Sequence, residues 1–246
     1  MPERKQASVA VIGAGDFIGG AIAKRFAAEG YVVVAGRRTE DKLAPLKAAI
    51  EATGGRCVAR ALDARKEEDI TGFLEAAEAA APLAAVIFNP GANVNFPILD
   101  TTERVFRKVW EMACYGGFLT GREAARLMVP RGKGSIFFTG ATASLRGGAG
   151  YAAFASAKAG LRMVAQSMAR ELGPKGIHVA HLIVDAGVDT AFVRDRIKAA
   201  GRDPDNLPPD TLMNPDSIAE MYWQLHSQSR DAWTFETELR PYGENW

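Results

Sequence analysis

The strongest constraint on this chain is a repeated alternation of short apolar runs with segments of helix length. Ser8-Val-Ala-Val-Ile12 is strand-like and ends at glycines, and from Ile18 an apolar pattern at helical spacing (Ile18, Ala21, Ile22, Phe26) runs to Gly30. Residues 31–35 (Tyr-Val-Val-Val-Ala) give the next strand, and Leu43, Leu46, Ala49 and Ile50 space out a second helix before Gly54-Gly55. Further β-like runs lie at residues 57–62, 84–88, 135–138 and 178–184, each separated from the next by a helix-length segment. Alternation of this kind predicts parallel strands joined by crossover helices on both faces of the sheet. No internal repeat, low-complexity tract or Pro/Ser-rich boundary interrupts it. The expectation is a single doubly wound α/β domain over residues 1–246.

Composition narrows the partners. The chain is 48% apolar and 24% charged with a net charge of +1, so nothing global favours nucleic acid or an anionic membrane. No apolar run reaches membrane-spanning length, and the opening Met-Pro-Glu-Arg-Lys-Gln leads into a strand rather than an apolar signal core. The expected compartment is the cytoplasm. Cys57 and Cys114 have neither CxxC spacing nor His-rich company, so no metal and no disulfide framework is expected.

In a doubly wound sheet, ligands bind outside the carboxyl ends of the strands where strand order reverses. The first such turn reads Gly13-Ala-Gly15-Asp-Phe17-Ile-Gly19-Gly20. Glycines there let backbone approach a pyrophosphate, which the unpaired N–H groups and dipole of the helix start then stabilise; a tight turn with close helix packing needs the same residues. The second strand ends in Gly36-Arg37-Arg38. A carboxylate at that end would hold a ribose 2′-hydroxyl and an arginine a 2′-phosphate, so two arginines and no acid predict NADP rather than NAD. Further on, Tyr151-Ala-Ala-Phe-Ala-Ser-Ala-Lys158 opens the longest amphipathic pattern. On a helix, seven residues turn through about 700°, which puts Tyr151, Phe154 and Lys158 on one face as a candidate proton-transfer pair with an aromatic between. The competing reading makes them two core aromatics and a solvated charge.

With the Gly-rich turn, Asp63 after the third strand, Asn89-Pro-Gly91 after the fourth, and Lys158, the sequence resembles the short-chain dehydrogenase/reductase family over nearly its whole length. The resemblance implies an NAD(P)-binding Rossmann domain, often a homodimer or homotetramer, that moves hydride to or from a carbonyl, hydroxyl or activated double bond of a small-molecule substrate. Gly13 and Gly19 match the first and last glycines of the family's TGxxxGxG turn. Gly15 restores freedom nearby, Phe17 replaces the middle glycine, and Ile18 keeps the apolar position between. Asp63 matches the aspartate that contacts adenine. Asn89 and Gly91 match the NAG motif beside the cofactor, and Thr190 the threonine on the nicotinamide carboxamide, although the preceding Pro-Gly has become Asp185-Ala186.

Under the same resemblance the catalytic tyrosine falls on Phe154, the serine on Ala141 and the asparagine on Cys114. Lys158 alone remains of that tetrad, in the position that holds the nicotinamide ribose. Tyr151, Phe154 and Lys158 have the spacing of the YxxMxxxK arrangement in the family's divergent enoyl reductases, which makes Tyr151 a candidate replacement donor. Thr142 is either a hydroxyl for the substrate oxygen or a loop threonine bonding its own backbone. Cys114 reads as a buried structural thiol in a helix interrupted by Gly116-Gly117, and His178 and His181 as packing or edge residues with no acid nearby in sequence. Residues 191–214, with Phe192, Arg194, Arg196, Lys198 and Arg202, correspond to the family's substrate lid; these cations suit an anionic or CoA-linked substrate or a solvated helix face. Tyr242 and Trp246 are candidates for a subunit interface, as is the pairing of the long helix with that around residues 105–128. Two readings compete: an NADP-dependent reductase with Tyr151 as donor, and a nucleotide-binding protein of this fold without hydride chemistry.

Overall fold

Strand β1 (Ser8–Ile12) lies between β2 (Val32–Arg37) and β4 (Leu83–Phe88) in a seven-stranded sheet of a computed structural model that describes residues 5–244. The other strands are β3 (Arg56–Ala61), β5 (Gly134–Thr139), β6 (Ile177–Val184) and β7 (Glu236–Leu239). Their order is β3-β2-β1-β4-β5-β6-β7 and every pairing is parallel. Strand order therefore reverses between β1 and β4, and the crevice above their carboxyl ends is where a ligand is expected.

All five residues of β1 are buried, as a strand covered on both faces requires. Its side chains alternate between two cores. Val9 and Val11 join Ile22 and Phe26 of α1 (Ile18–Ala28) and Ile218 of α8 (Pro215–His226) on one face. Ala10 and Ile12 join Phe73 of α3 (Glu67–Ala80), Leu119 of α5 (Gly116–Met128) and Leu161 of α6 (Ala152–Leu172) on the other. Helix α2 (Ala44–Ala52) adds Ile50 to the first core. Helix α4 (Glu103–Trp110) runs through a π-helical turn, Glu111–Tyr115, directly into α5. Gly116 and Gly117 thus lie inside a helix rather than interrupting it. A Cβ on Gly117 would stand 2.2 Å from Leu161 Cδ1, so that glycine permits the close approach of α5 to α6.

Strand β7 has no counterpart among the apolar runs in the sequence, because Glu-Thr-Glu-Leu is a half-buried edge strand without an apolar stripe. It supplies the acid that His181 lacks locally. Glu236 Oε2 lies 3.1 Å from His181 Nδ1, and Arg162 donates to the same carboxylate at 2.6 and 2.8 Å. His181 is fully buried in β6, which is an interior strand, so the edge placement is corrected while the packing role stands. Tyr242 is exposed, and Trp246 lies outside the described residues.

Burial pushes the His181 ring down to about 4 despite Glu236, and burial together with Lys5, His178 and Lys133 does the same to His226, which sits between Tyr31 Oη (2.9 Å) and Ser135 Oγ (3.0 Å). Between the ordinary histidine value of 6.5 and about 4 the unfolded chain binds more protons than the folded one, so stability falls as pH falls through that window. Each ring contributes on the order of 3 kcal/mol to the loss. Urea unfolding across this range should show it, and His226→Gln should flatten the curve; a stability independent of pH there would refute the assignment.

Candidate active site

Chain direction after β1 is set by two glycines. Gly13 has φ +78°, and a Cβ there would meet Pro90 N at 3.0 Å. A Cβ on Gly19 would stand 2.2 Å from Gly13 O, so α1 can begin against this turn only with glycine at that position. Gly15 faces nothing within 4 Å and leaves open space above the turn. Phe17 is the N-cap residue of α1 and provides no side-chain cap, which leaves the helix start available to a ligand. Its ring is absent from the lining of the groove described next.

That groove has two adjoining parts. A cavity of about 340 Å³ is lined by Gly13, Gly15, Arg37, Arg38, Asn89 and Gly91 among others. A second, of about 510 Å³, shares Asn89 and Gly91 and continues past Ile18, Thr139, Thr142 and Tyr151 to Phe154 and Lys158. The shape of the two parts together is that of a groove for an extended ligand. Asn89 ties the halves together: its Nδ2 donates to Gly13 O at 3.1 Å and its Oδ1 accepts from Thr139 Oγ1 at 3.0 Å.

The arginine pair is not free of acids. Arg37 donates to Asp16 Oδ1 at 3.0 Å and to Lys42 O at 3.2 Å, so an aspartate of the Gly-rich turn stands where the sequence near Arg37 shows none. Arg38 is exposed. Asp63 is clasped by Arg65, whose guanidinium holds its carboxyl below the usual carboxylate range.

At the other end, Lys158 is 2% exposed and donates to Thr139 O at 2.7 Å and Pro90 O at 3.3 Å. Burial pushes its ammonium down to about 8. Tyr151 lies just outside the helix instead of on its face. Gly150 has φ +79°, the Tyr151 N–H donates to Gly148 O at 3.0 Å, and α6 starts at Ala152 with Tyr151 as its N-cap residue. The shared-face argument therefore fails, yet Tyr151, Phe154 and Lys158 still line one cavity. The phenol accepts from Arg196 Nη2 at 3.0 Å, which leaves its own proton available.

Thr142 lines the cavity and donates to the carboxylate of Asp185, which follows β6. Asp185 is 3% exposed and also lies 3.4 Å from Arg146 Nη2 and 3.4 Å from Arg240 Nη2. In the sequence Asp185 stands out only as a departure from the family's Pro-Gly pair; its partners are not visible there. Ala141 is half-buried, and Cys114 is buried with its thiol pushed up by desolvation. Thr190 Oγ1 accepts from Val193 N at 3.2 Å and caps α7 (Ala191–Ala199). Within residues 191–214, Arg194 is held by Asp189 and Asp205, whereas Arg196 turns to Tyr151.

A family model described as short chain dehydrogenase matches residues 7–200. Among solved structures, a short-chain dehydrogenase from Rhodopseudomonas palustris is 62% identical, with a TM-score of 0.84 over 97% of this chain and 100% of that one. An alcohol dehydrogenase from the archaeon Thermococcus sibiricus, complexed with 5-hydroxy-NADP, shares the fold at 24% identity and a TM-score of 0.84, covering 97% of this chain and 98% of that one. The uncharacterized oxidoreductase YuxG of Bacillus subtilis is 31% identical over 80% of this chain, which spans 30% of that relative's length.

Proposed function

The chain belongs to the short-chain dehydrogenase family, and from that premise we propose an NADP(H)-dependent oxidoreductase that reduces a carbonyl or activated double bond, with Tyr151 as proton donor. The observation that carries this reading is the placement of Tyr151, Thr142 and Lys158 around one cavity that joins the glycine turn and the arginine pair. The nicotinamide, when bound, supplies the hydride. Gly13, Gly15, Ile18 and Gly19, with Phe17 opening α1, would receive the pyrophosphate; Arg37 and Arg38 the 2′-phosphate; Asp63 the adenine; Asn89 and Gly91 the middle of the cofactor; Lys158 the ribose; Thr190 the carboxamide. Residues 191–214 would close over the substrate. Exposed Phe106, Trp110, Phe118 and Met163 on α4, α5 and α6 support a homodimer or homotetramer.

Fluorescence titration with NADPH and NADH tests the cofactor reading, and absence of binding of both at millimolar concentration would sink it. Arg38→Ala should weaken NADPH about 10–100-fold and leave NADH unchanged, the loss expected for a charge-assisted contact of roughly 1.5–3 kcal/mol. Equal weakening of both would remove the 2′-phosphate role.

A second reading, cofactor binding without hydride transfer, is favoured by Phe154 at the family's donor position. It predicts NADPH binding with no oxidation of NADPH by any carbonyl or enone tested.

A further inference from the structure

We propose that the substrate carries a single carboxylate, held at the mouth of the cavity between Arg146 and Arg196. This rests on the reading of that cavity as a substrate site. Among the described residues, no Asp or Glu lines it, while Arg146 and Lys158 do. Lys158 gives two of its three N–H groups to Thr139 O and Pro90 O, and the third is assigned above to the cofactor ribose. Arg146 is not comparably tied: its side chain is 52% exposed and meets Asp185 only at 3.4 Å, well beyond the roughly 2.7–2.9 Å of a tight charge-assisted pair.

Asp185 is already shared between Thr142 and Arg240. Arg240 also contacts Glu238. Asp185 and Glu238 thus have Arg146 and Arg240 as cationic neighbours. Among the described residues, no carboxylate pairs with Arg196. Its neighbour Arg194 is saturated by Asp189 and Asp205, at 2.5 and 2.6 Å, but Arg196 has a neutral phenol as its hydrogen-bond partner and the Phe192 ring beneath it at 5.8 Å. One uncompensated guanidinium thus stands beside the proposed donor, and a loosely held second one lines the same cavity. A monoanion matches that balance, and a planar carboxylate matches the planar guanidinium fork. Lys198 and Arg202 are exposed, as Arg196 is, and solvent screens all three; of these, Arg196 is the one hydrogen-bonded to a residue that lines the cavity.

The consequence is geometric as well as electrostatic. A carboxylate drawn to Arg196 places the rest of the substrate beneath the Tyr151 hydroxyl, since both groups already touch. The same pull would draw α7 onto the bound molecule.

The test uses the full chain saturated with NADP⁺, so that no hydride can pass to a ketone, and titrates 4-oxopentanoate and its methyl ester by calorimetry. The acid is expected to bind at least tenfold more tightly than the ester. Arg196→Ala should erase that preference with NADP⁺ affinity unchanged, Arg196→Lys should restore part of it, and Arg146→Ala should weaken the acid but not the ester. Equal affinities of acid and ester, no saturable binding of either, or inorganic phosphate binding more tightly than the acid would each overturn the assignment. Because binding is read without turnover, a protein that binds the acid but never oxidises NADPH would refute the hydride reading and leave this one standing.

Discussion

Tyr151→Phe is expected to lower kcat/KM for carbonyl reduction by about 10²–10⁴-fold, the usual weight of a positioned general acid, with NADPH affinity unchanged. The expectation follows from elimination among the groups that line the cavity. Phe154 has no proton to give. Thr142 directs its proton to Asp185 and so presents lone pairs to the cavity. Lys158 gives two of its three N–H groups to Thr139 O and Pro90 O, and the third is assigned to the cofactor ribose. The Tyr151 hydroxyl accepts from Arg196, which orients the phenol and leaves its hydrogen unspent. The complementary variant, Phe154→Tyr, sets a hydroxyl on α6 one helical turn before Lys158 and should raise carbonyl reduction. Unchanged turnover in Tyr151→Phe would remove Tyr151 from the reaction.

How much of this was legible beforehand differs by physical cause. Strands β1, β2, β4, β5 and β6 are largely buried on both faces and read as mostly apolar runs in the sequence, whereas the edge strand β3 is half-exposed and carries Arg56 and Arg60. Strand β7 was hidden because its glutamates are satisfied by Arg162, His181 and Arg240, partners distant in sequence. The spacing of Tyr151 and Lys158 was visible, but where the helix begins was not. That boundary depends on the left-handed backbone of Gly150 and on the Tyr151 N–H bond to Gly148 O, which only the folded loop displays. Asp185 illustrates the same limit. Its identity could be read as a departure from the family's proline, whereas its partners Thr142, Arg146 and Arg240 converge from three separate segments. Asp16 likewise became a partner of Arg37 only when the first two strands were placed side by side.

The glycine turn gives the sharpest separation of fold from ligand. Gly19→Ala should lower Tm and abolish cofactor binding together. Its Cβ would meet Gly13 O at 2.2 Å and Ala14 Cα at 2.8 Å, both backbone atoms that no side-chain rotation can relieve. Overpacking of this kind typically costs about 1–3 kcal/mol, and here it acts on a turn whose Gly13 also has no room for a Cβ, which would meet Pro90 N at 3.0 Å. The turn must open, which displaces the start of α1 from the end of β1. Gly15→Ala should behave differently. A methyl group there meets nothing within 4 Å, so Tm should stay within a degree or so of the parent while NADPH affinity falls at least tenfold, about 1.4 kcal/mol. The open space above Gly15 is the part of the groove assigned to the pyrophosphate, and a Cβ would occupy it. Thermal unfolding and NADPH titration on the two variants decide the matter. If Gly15→Ala bound NADPH as tightly as the parent, the pyrophosphate would not lie over this turn. If Gly19→Ala left Tm unchanged, the close approach of α1 to the first turn would not be what fixes the helix in place.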